Sequence, residues 1–126
     1  MPRDIIATED APSSPFFSQA VRAGAYVYVS GMTGTVPSTG EMAGPTIHDQ
    51  TRQALTNCEN VLRAAGATLD DVVEVGVLLA RPEDFSGLNQ AYGEMFPTEP
   101  PARYVAKLGV DIPNVLVSIR MTAVTH

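Results

Sequence analysis

Residues 47–65 carry the clearest pattern in the chain, an apolar stripe at helical spacing that constrains the whole fold. Thr46 is a suitable N-cap, Asp49 approximates a capping box with it, and Gly66 can form a left-handed helix end. A helix with one apolar face must bury that face against another layer. The stripe consists of Ile47, Thr51, Ala54, Leu55, Cys58, Val61, Leu62 and Ala65.

Period-two patterns on both sides of this helix predict the strands of a sheet. Polar or aromatic and aliphatic residues alternate over 25–31 and 115–124, while 72–80 is nearly all apolar. A second helix is predicted over 83–96, with Phe85, Leu88, Tyr92 and Phe96 on one side. Shorter strands are expected at 5–7, 19–24 and 104–108. The predicted order is three strands, helix, strand, helix and two strands. This order favours one α+β domain over 1–126, with both helices on one face of a mixed sheet.

Helices on a single face would leave the opposite face of the sheet uncovered. Tyr26, Tyr28 and Leu116 would then expose apolar surface, and a patch of that kind usually marks an interface. We therefore expect an oligomer whose sites can lie between subunits.

The charge balance makes several functions improbable. The chain has 8 Lys and Arg residues and a formal net charge of −6, with no basic run to neutralise phosphates, which argues against nucleic-acid binding.

The remaining composition bears on metal binding and location. His48 and His126 form no metal-ligand spacing. The single cysteine, Cys58, lies in the helix stripe and indicates core packing in a reducing compartment. No apolar run is long enough to cross a membrane, and the start Met1-Pro2-Arg3-Asp4 lacks a signal-peptide pattern, so a cytoplasmic location is expected.

A rigid segment, Pro100-Pro101-Ala102-Arg103, leads into the penultimate strand. Two prolines fix φ and donate no backbone hydrogen bond, which excludes a helix interior or an inner strand here. A guanidinium at the junction of a stiff loop and a strand can hold a carboxylate through two parallel hydrogen bonds. The alternative is an arginine that caps an edge strand or pairs with a surface acid.

Several short motifs, in order and at matching spacing, give the chain a family resemblance over nearly its whole length. They are Ala7-Thr8-Glu9-Asp10-Ala11-Pro12, Ser18-Gln19-Ala20, Val29-Ser30-Gly31, Asn89-Gln90-Ala91-Tyr92 and Pro101-Ala102-Arg103. With these motifs the chain resembles the Rid family, also called YjgF-like, of small imine and enamine deaminases. The resemblance implies a chorismate-mutase-like fold (βββαβαββ) and a homotrimer whose sheets form a central barrel, with ligand clefts between subunits. It implies no cofactor.

The resemblance also implies roles for individual residues. Arg103 would hold the carboxylate of a 2-imino or 2-amino-unsaturated acid, and Ser30, Gly31 and Asn89 would line the cleft. Ser30 could equally serve turn chemistry, and Asn89 could face solvent.

The sequence departs from the family pattern at several cleft positions. Ser118 stands where deaminase members carry a glutamate that positions or activates water. Phe17 aligns with a cleft tyrosine and would supply only apolar lining, and Val105 lies near the place of a family cysteine. Arg120 either lines the cleft beside Ser118 and favours a second anionic group, or pairs with an acid across an interface.

The resemblance and the departures from it imply three possible functions. The leading hypothesis is a deaminase that hydrolyses small 2-imino or 2-amino-unsaturated carboxylic acids. A rival is a non-catalytic protein that binds carboxylates or 2-oxo acids and lacks the water-activating glutamate. A ribonuclease or translation-inhibitor role is a third interpretation, against which the acidic balance argues.

Overall fold

The helix predicted from the apolar stripe is α1, which spans Ile47–Ala64. The structure, a computed structural model, describes residues 3–126. Met1 and Pro2, which belong to the start for which no signal peptide was predicted, lie outside the described residues. The Thr46 hydroxyl accepts a hydrogen bond from the backbone N–H of Asp49 at 3.1 Å, which confirms the predicted N-cap. Gly66 has a φ of +80°, the left-handed conformation that commonly ends a helix.

Six strands form one mixed sheet, and their order along the chain is the predicted one. In sequence the strands are β1 Asp4–Ile6, β2 Ala20–Ala23, β3 Tyr26–Thr33, β4 Val72–Leu79, β5 Ala102–Lys107 and β6 Val117–Val124. In space the order is β1-β2-β3-β6-β4-β5, and only β4 and β5 run parallel. The second helix, α2, spans Phe85–Met95 and connects the two parallel strands. This arrangement confirms the predicted α+β class.

Both helices cover the same face of the sheet. Helix α1 packs on β3 and β6, and α2 packs along α1. The core between the layers includes Val27, Val29, Leu55, Cys58, Leu62, Val75, Val77, Leu88, Ile119 and Met121.

The other side of the sheet, called here the open face, has no helix over it within residues 3–126. Tyr26, Tyr28 and Tyr104 remain 49%, 44% and 51% exposed, and the first two rings stack at 6.2 Å between centroids. The predicted uncovered face is therefore present in the single chain. None of the helices in this part of the chain is long and apolar enough to span a bilayer.

Candidate functional site

Strand β3 bulges where the sequence places Ser30 and Gly31. The pairing of β3 with β6 shifts by one residue between Val29 and Met32, so Ser30 and Gly31 together lie opposite Arg120. A bulge bends the strand and changes the direction of its side chains, and bulges are frequent beside active sites.

Backbone and hydroxyl contacts join this bulge to the loop that precedes β2. The Ser30 hydroxyl donates a hydrogen bond to the carbonyl of Ser18 at 2.6 Å, and its N–H donates to the carbonyl of Gln19 at 2.9 Å. These bonds hold the neighbouring Phe17, which is 43% exposed, beside the bulge. Ser30 therefore makes hydrogen bonds that join its strand to the loop before β2. These bonds do not prevent it from lining a cleft as well.

Ser118 approaches the bulge from β6. Its hydroxyl oxygen lies 2.8 Å from the point that a Cβ at Gly31 would occupy, so a side chain at residue 31 would require the Ser118 hydroxyl to move. Ser118 is in register with Leu78 on β4 and Thr33 on β3. Its neighbours along β6, Val117 and Ile119, belong to the core, so the Ser118 side chain points to the open face. None of the carboxylate hydrogen bonds within residues 3–126 involves Ser118. We call Phe17, Ser30, Gly31 and Ser118 the bulge cluster.

Arg120 lies on the open face one pleat from Ser118. One of its guanidinium nitrogens lies 3.4 Å from a carboxylate oxygen of Glu74 on β4, and another lies 3.3 Å from the hydroxyl of Thr122. Arg120 therefore pairs with an acid of its own chain. Its predicted contact with a ligand stays a prediction.

Arg103 lies on the opposite side of the sheet. It pairs with the buried Val75 of β4, and residues in register share a face, so its side chain turns toward the helices. The guanidinium carbon is 4.8 Å from the ring centroid of Tyr92 and 6.0 Å from that of Phe85. Such stacking fixes a guanidinium while leaving its N–H donors available. No carboxylate within residues 3–126 lies at salt-bridge distance from Arg103.

Helix α2 presents the predicted Asn89 beside these rings. Asn89 is exposed and follows Phe85 by one turn and precedes Tyr92 by one turn, so the three share an edge of the helix. We call Arg103, Phe85, Asn89 and Tyr92 the arginine cluster.

Tyr92 carries an unusual hydroxyl. The residue is only 6% exposed, and its oxygen is buried without a hydrogen-bond partner in the part of the chain that the structure describes. Burial raises the pKa of Tyr92, and the positive charge of Arg103 opposes that rise.

A single chain does not bring the two clusters together. Strand β5 is three strands away from β3 and two away from β6, which places the clusters about 10–14 Å apart at ~4.8 Å per strand. The bulge cluster includes Ser118 on the open face, whereas Arg103 points to the helix face. One small ligand therefore cannot touch Arg103 and Ser118 of the same chain.

Sequence reasoning missed the roles of Phe85 and Tyr92. Both were assigned to one apolar side of the second helix, and their contact with Arg103 was not foreseen. The available signal was a pair of aromatic residues seven apart on the helix that immediately precedes the arginine strand.

Metal binding finds no support in the donor side chains. Among residues 3–126, no group of three or more His, Cys, Asp or Glu side chains is placed to hold a metal ion. The arginine cluster instead offers a cation and aromatic faces, which suit an organic anion.

Comparisons with known proteins agree with this fold. A family described as endoribonuclease L-PSP matches residues 8–125. A RutC family protein of Pyrococcus horikoshii is 38% identical over 96% of this chain and 97% of its own length. The 2-iminobutanoate/2-iminopropanoate deaminase of Capra hircus is 40% identical over 80% of this chain and 74% of its own. The crystal structure of Escherichia coli TdcF with bound serine superposes with a TM-score of 0.91, at 28% identity, covering 98% of this chain and 99% of that one.

Proposed function

Because the chain belongs to the Rid, or YjgF-like, family, we propose that it is a deaminase of small 2-imino and 2-amino-unsaturated carboxylic acids. The products would be the 2-oxo acid and ammonia. A relative at 40% identity is named 2-iminobutanoate/2-iminopropanoate deaminase, which supports the reaction class.

The observation that carries this proposal is the set of side chains around the Arg103 guanidinium. Its guanidinium rests on Tyr92 and Phe85, and no acid within residues 3–126 neutralises it. A carboxylate can accept two parallel hydrogen bonds from a guanidinium fixed in this way. The substrate would thus be held by its carboxylate, with the imine carbon a fixed distance away.

The reaction itself needs water and proton transfers. Water adds to the carbon of the protonated C=N bond, and the bonding pair moves to nitrogen to give a tetrahedral carbinolamine. One proton passes from oxygen to nitrogen, and the C–N bond then breaks, so that ammonia leaves with the bonding pair. The remaining hydroxyl proton passes to water or to the released ammonia as the carbonyl forms. An enamine first takes a proton on its β-carbon. Since a protonated imine is already electrophilic, correct positioning can accelerate hydrolysis without a carboxylate base.

The complete site would lie between subunits of a homotrimer. The separation of the arginine and bulge clusters within one chain supports this arrangement, since only another copy could bring Phe17, Ser30, Gly31 and Ser118 to Arg103. The exposed tyrosines of the open face supply apolar surface for such an assembly. Light scattering coupled to size exclusion would give three times the chain mass, and a monomer at micromolar concentration would contradict the trimer.

The activity test generates 2-iminopropanoate from alanine with an amino-acid oxidase and traps it with semicarbazide. The proposed enzyme removes the imine before it can be trapped, so the semicarbazone signal falls. The Arg103→Ala variant should lose this effect. Equal semicarbazone signals for protein and buffer, across several imino acids, would reject the proposal.

One observation favours a second function. Ser118 has no acid bonded to it within residues 3–126, so the water-activating group implied for deaminase members is not replaced at that point. The alternative is a protein that binds 2-oxo acids through Arg103 without turnover. Arg103-dependent binding of pyruvate, together with unchanged imine trapping, would support it.

A further inference from the structure

An apolar groove begins beside the arginine cluster. It encloses about 420 Å³ at the edge of the sheet, and carbon-rich side chains form most of its wall. The residues that line it are Leu79, Pro82, Phe85, Val105, Ala106 and Lys107.

The groove is continuous with the surroundings of Arg103. Phe85 belongs to both, since its ring lies 6.0 Å from the guanidinium carbon and also lines the groove. Val105 pairs with Val77 as Arg103 pairs with Val75, so both side chains leave β5 on the same face. Residues two apart on a strand are separated by about 7 Å.

That spacing fits the dimensions of an amino-acid skeleton. With its carboxylate on the guanidinium and its side chain directed along β5 toward Val105, a 2-imino acid would need a side chain of four or more carbons to reach the level of Val105. A methyl side chain does not extend that far. The polar exception, Lys107, is exposed and lies one pleat beyond Val105.

We propose that this groove holds the substrate's side chain and selects 2-imino acids with bulky apolar side chains, branched or aromatic, over that derived from alanine. The inference rests on the proposed function, because it takes Arg103 as the carboxylate anchor. Its physical basis is desolvation: each methylene moved from water to an apolar surface contributes about fourfold in affinity.

The test titrates the protein with three 2-oxo acids by calorimetry, so that it does not depend on turnover. The probes are pyruvate, 4-methyl-2-oxopentanoate and phenylpyruvate. We expect the two larger acids to bind at least about tenfold more tightly than pyruvate. Val105→Thr, which keeps the shape but replaces one methyl group with a hydroxyl, should reduce that ratio several-fold, and Val105→Phe should abolish it by filling the groove. Val110→Thr makes the same chemical change at a residue 67% exposed and outside the groove, and should leave the ratio unchanged.

The outcomes separate the two proposals. Equal affinities for all three acids, with binding that still depends on Arg103, would overturn the groove's role and leave the carboxylate site intact. Val105 variants that keep the wild-type ratio would overturn it as well. Failure of every acid to bind, or binding unaffected by Arg103→Ala, would reject the carboxylate anchor itself. Light scattering on the Val105 variants provides a further check. Dissociation of the oligomer in these variants would overturn the groove's role, because the groove would then be a contact between copies of the chain.

Discussion

The guanidinium carbon of Arg103 lies 4.8 Å from the centre of the Tyr92 ring, so a charge on strand β5 rests on an aromatic face of helix α2. This contact replaces the acid that would normally neutralise a half-buried arginine. It leaves the charge available for an anion from outside the chain.

The Tyr92 ring should therefore position Arg103 for carboxylate binding. A cation–π contact contributes about 0.5–2 kcal/mol, so Tyr92→Leu should weaken pyruvate binding by about 2- to 30-fold. Tyr92→Phe keeps the ring, and should retain affinity while stabilising the fold by about 1 kcal/mol, because it removes a buried hydroxyl without a partner. Calorimetry and urea unfolding measure the two effects.

The control for this prediction is Phe96→Leu. The Phe96 ring packs on Tyr92 with 4.9 Å between centroids, in the same buried layer, and the cation–π contacts of Arg103 within residues 3–126 are with Tyr92 and Phe85 rather than Phe96. It should lower stability without a selective loss of affinity. Equal affinity losses in Tyr92→Leu and Tyr92→Phe would show that the ring face does not act on Arg103.

A carboxylate at residue 118 should raise the deamination rate. Ser118 lies on the half-buried part of the open face next to Gly31, where the family resemblance implies a water-activating glutamate. General base catalysis contributes on the order of 10²- to 10⁴-fold, so Ser118→Glu should increase kcat/KM for 2-iminopropanoate by at least tenfold. Ser38→Glu adds the same charge to an exposed loop and should have no effect. A folded Ser118→Glu variant that binds pyruvate normally yet gains no rate would contradict this role.

Gly76 and Tyr104 should be energetically coupled. A Cβ at Gly76 would lie 2.7 Å from the Tyr104 hydroxyl oxygen and 2.8 Å from two of its ring carbons. Gly76→Ala should then destabilise the wild-type chain by about 1 kcal/mol, because the ring must move off the sheet. In a Tyr104→Ala background the same change should be neutral or stabilising, since alanine is favoured over glycine in a strand by ~0.5–1 kcal/mol. A double-mutant cycle by urea unfolding measures the coupling, and additive effects would refute it.

Cys58 should be chemically inert in the folded protein. Burial raises the pKa of its thiol from 9.0 to about 12. Because the folded-state pKa is the higher one, this group's contribution to stability is complete below about pH 9 and is lost as the pH rises toward 12. A thiol reagent at pH 8 should not modify the native protein but should modify it fully in urea. Rapid modification of the native chain would contradict the burial of the thiol.

Periodicity was sufficient to predict α1, β3 and β6, because each carries a clear apolar face. The direction of Arg103 could not be predicted in this way. Strand β5 reads Ala-Arg-Tyr-Val-Ala-Lys, with no regular alternation of polar and apolar residues, so the face on which each side chain lies is determined by parallel pairing with β4. The pairing of β6 between β3 and β4 is likewise a long-range contact, which local patterns do not encode.

The bulge at Ser30 and Gly31 shows the same limit at the candidate site. The alternating pattern predicted a strand over 25–31, which would end at Gly31, yet β3 continues to Thr33 after the bulge. The extra residue becomes visible only through the register of β3 against β6. The candidate residues other than Phe85 and Tyr92 could thus be named from motifs, while their division into two separate clusters required the sheet.

The most direct test is a calorimetric titration of pyruvate into wild-type, Arg103→Gln and Arg52→Gln proteins. Arg52 is exposed on α1, so its substitution removes the same charge away from the site. Each hydrogen bond from a charged donor contributes about 1.5–3 kcal/mol, so Arg103→Gln should weaken binding by at least about tenfold, while Arg52→Gln binds like the wild type. Equal affinity in all three proteins would contradict the assignment of Arg103 as the carboxylate anchor.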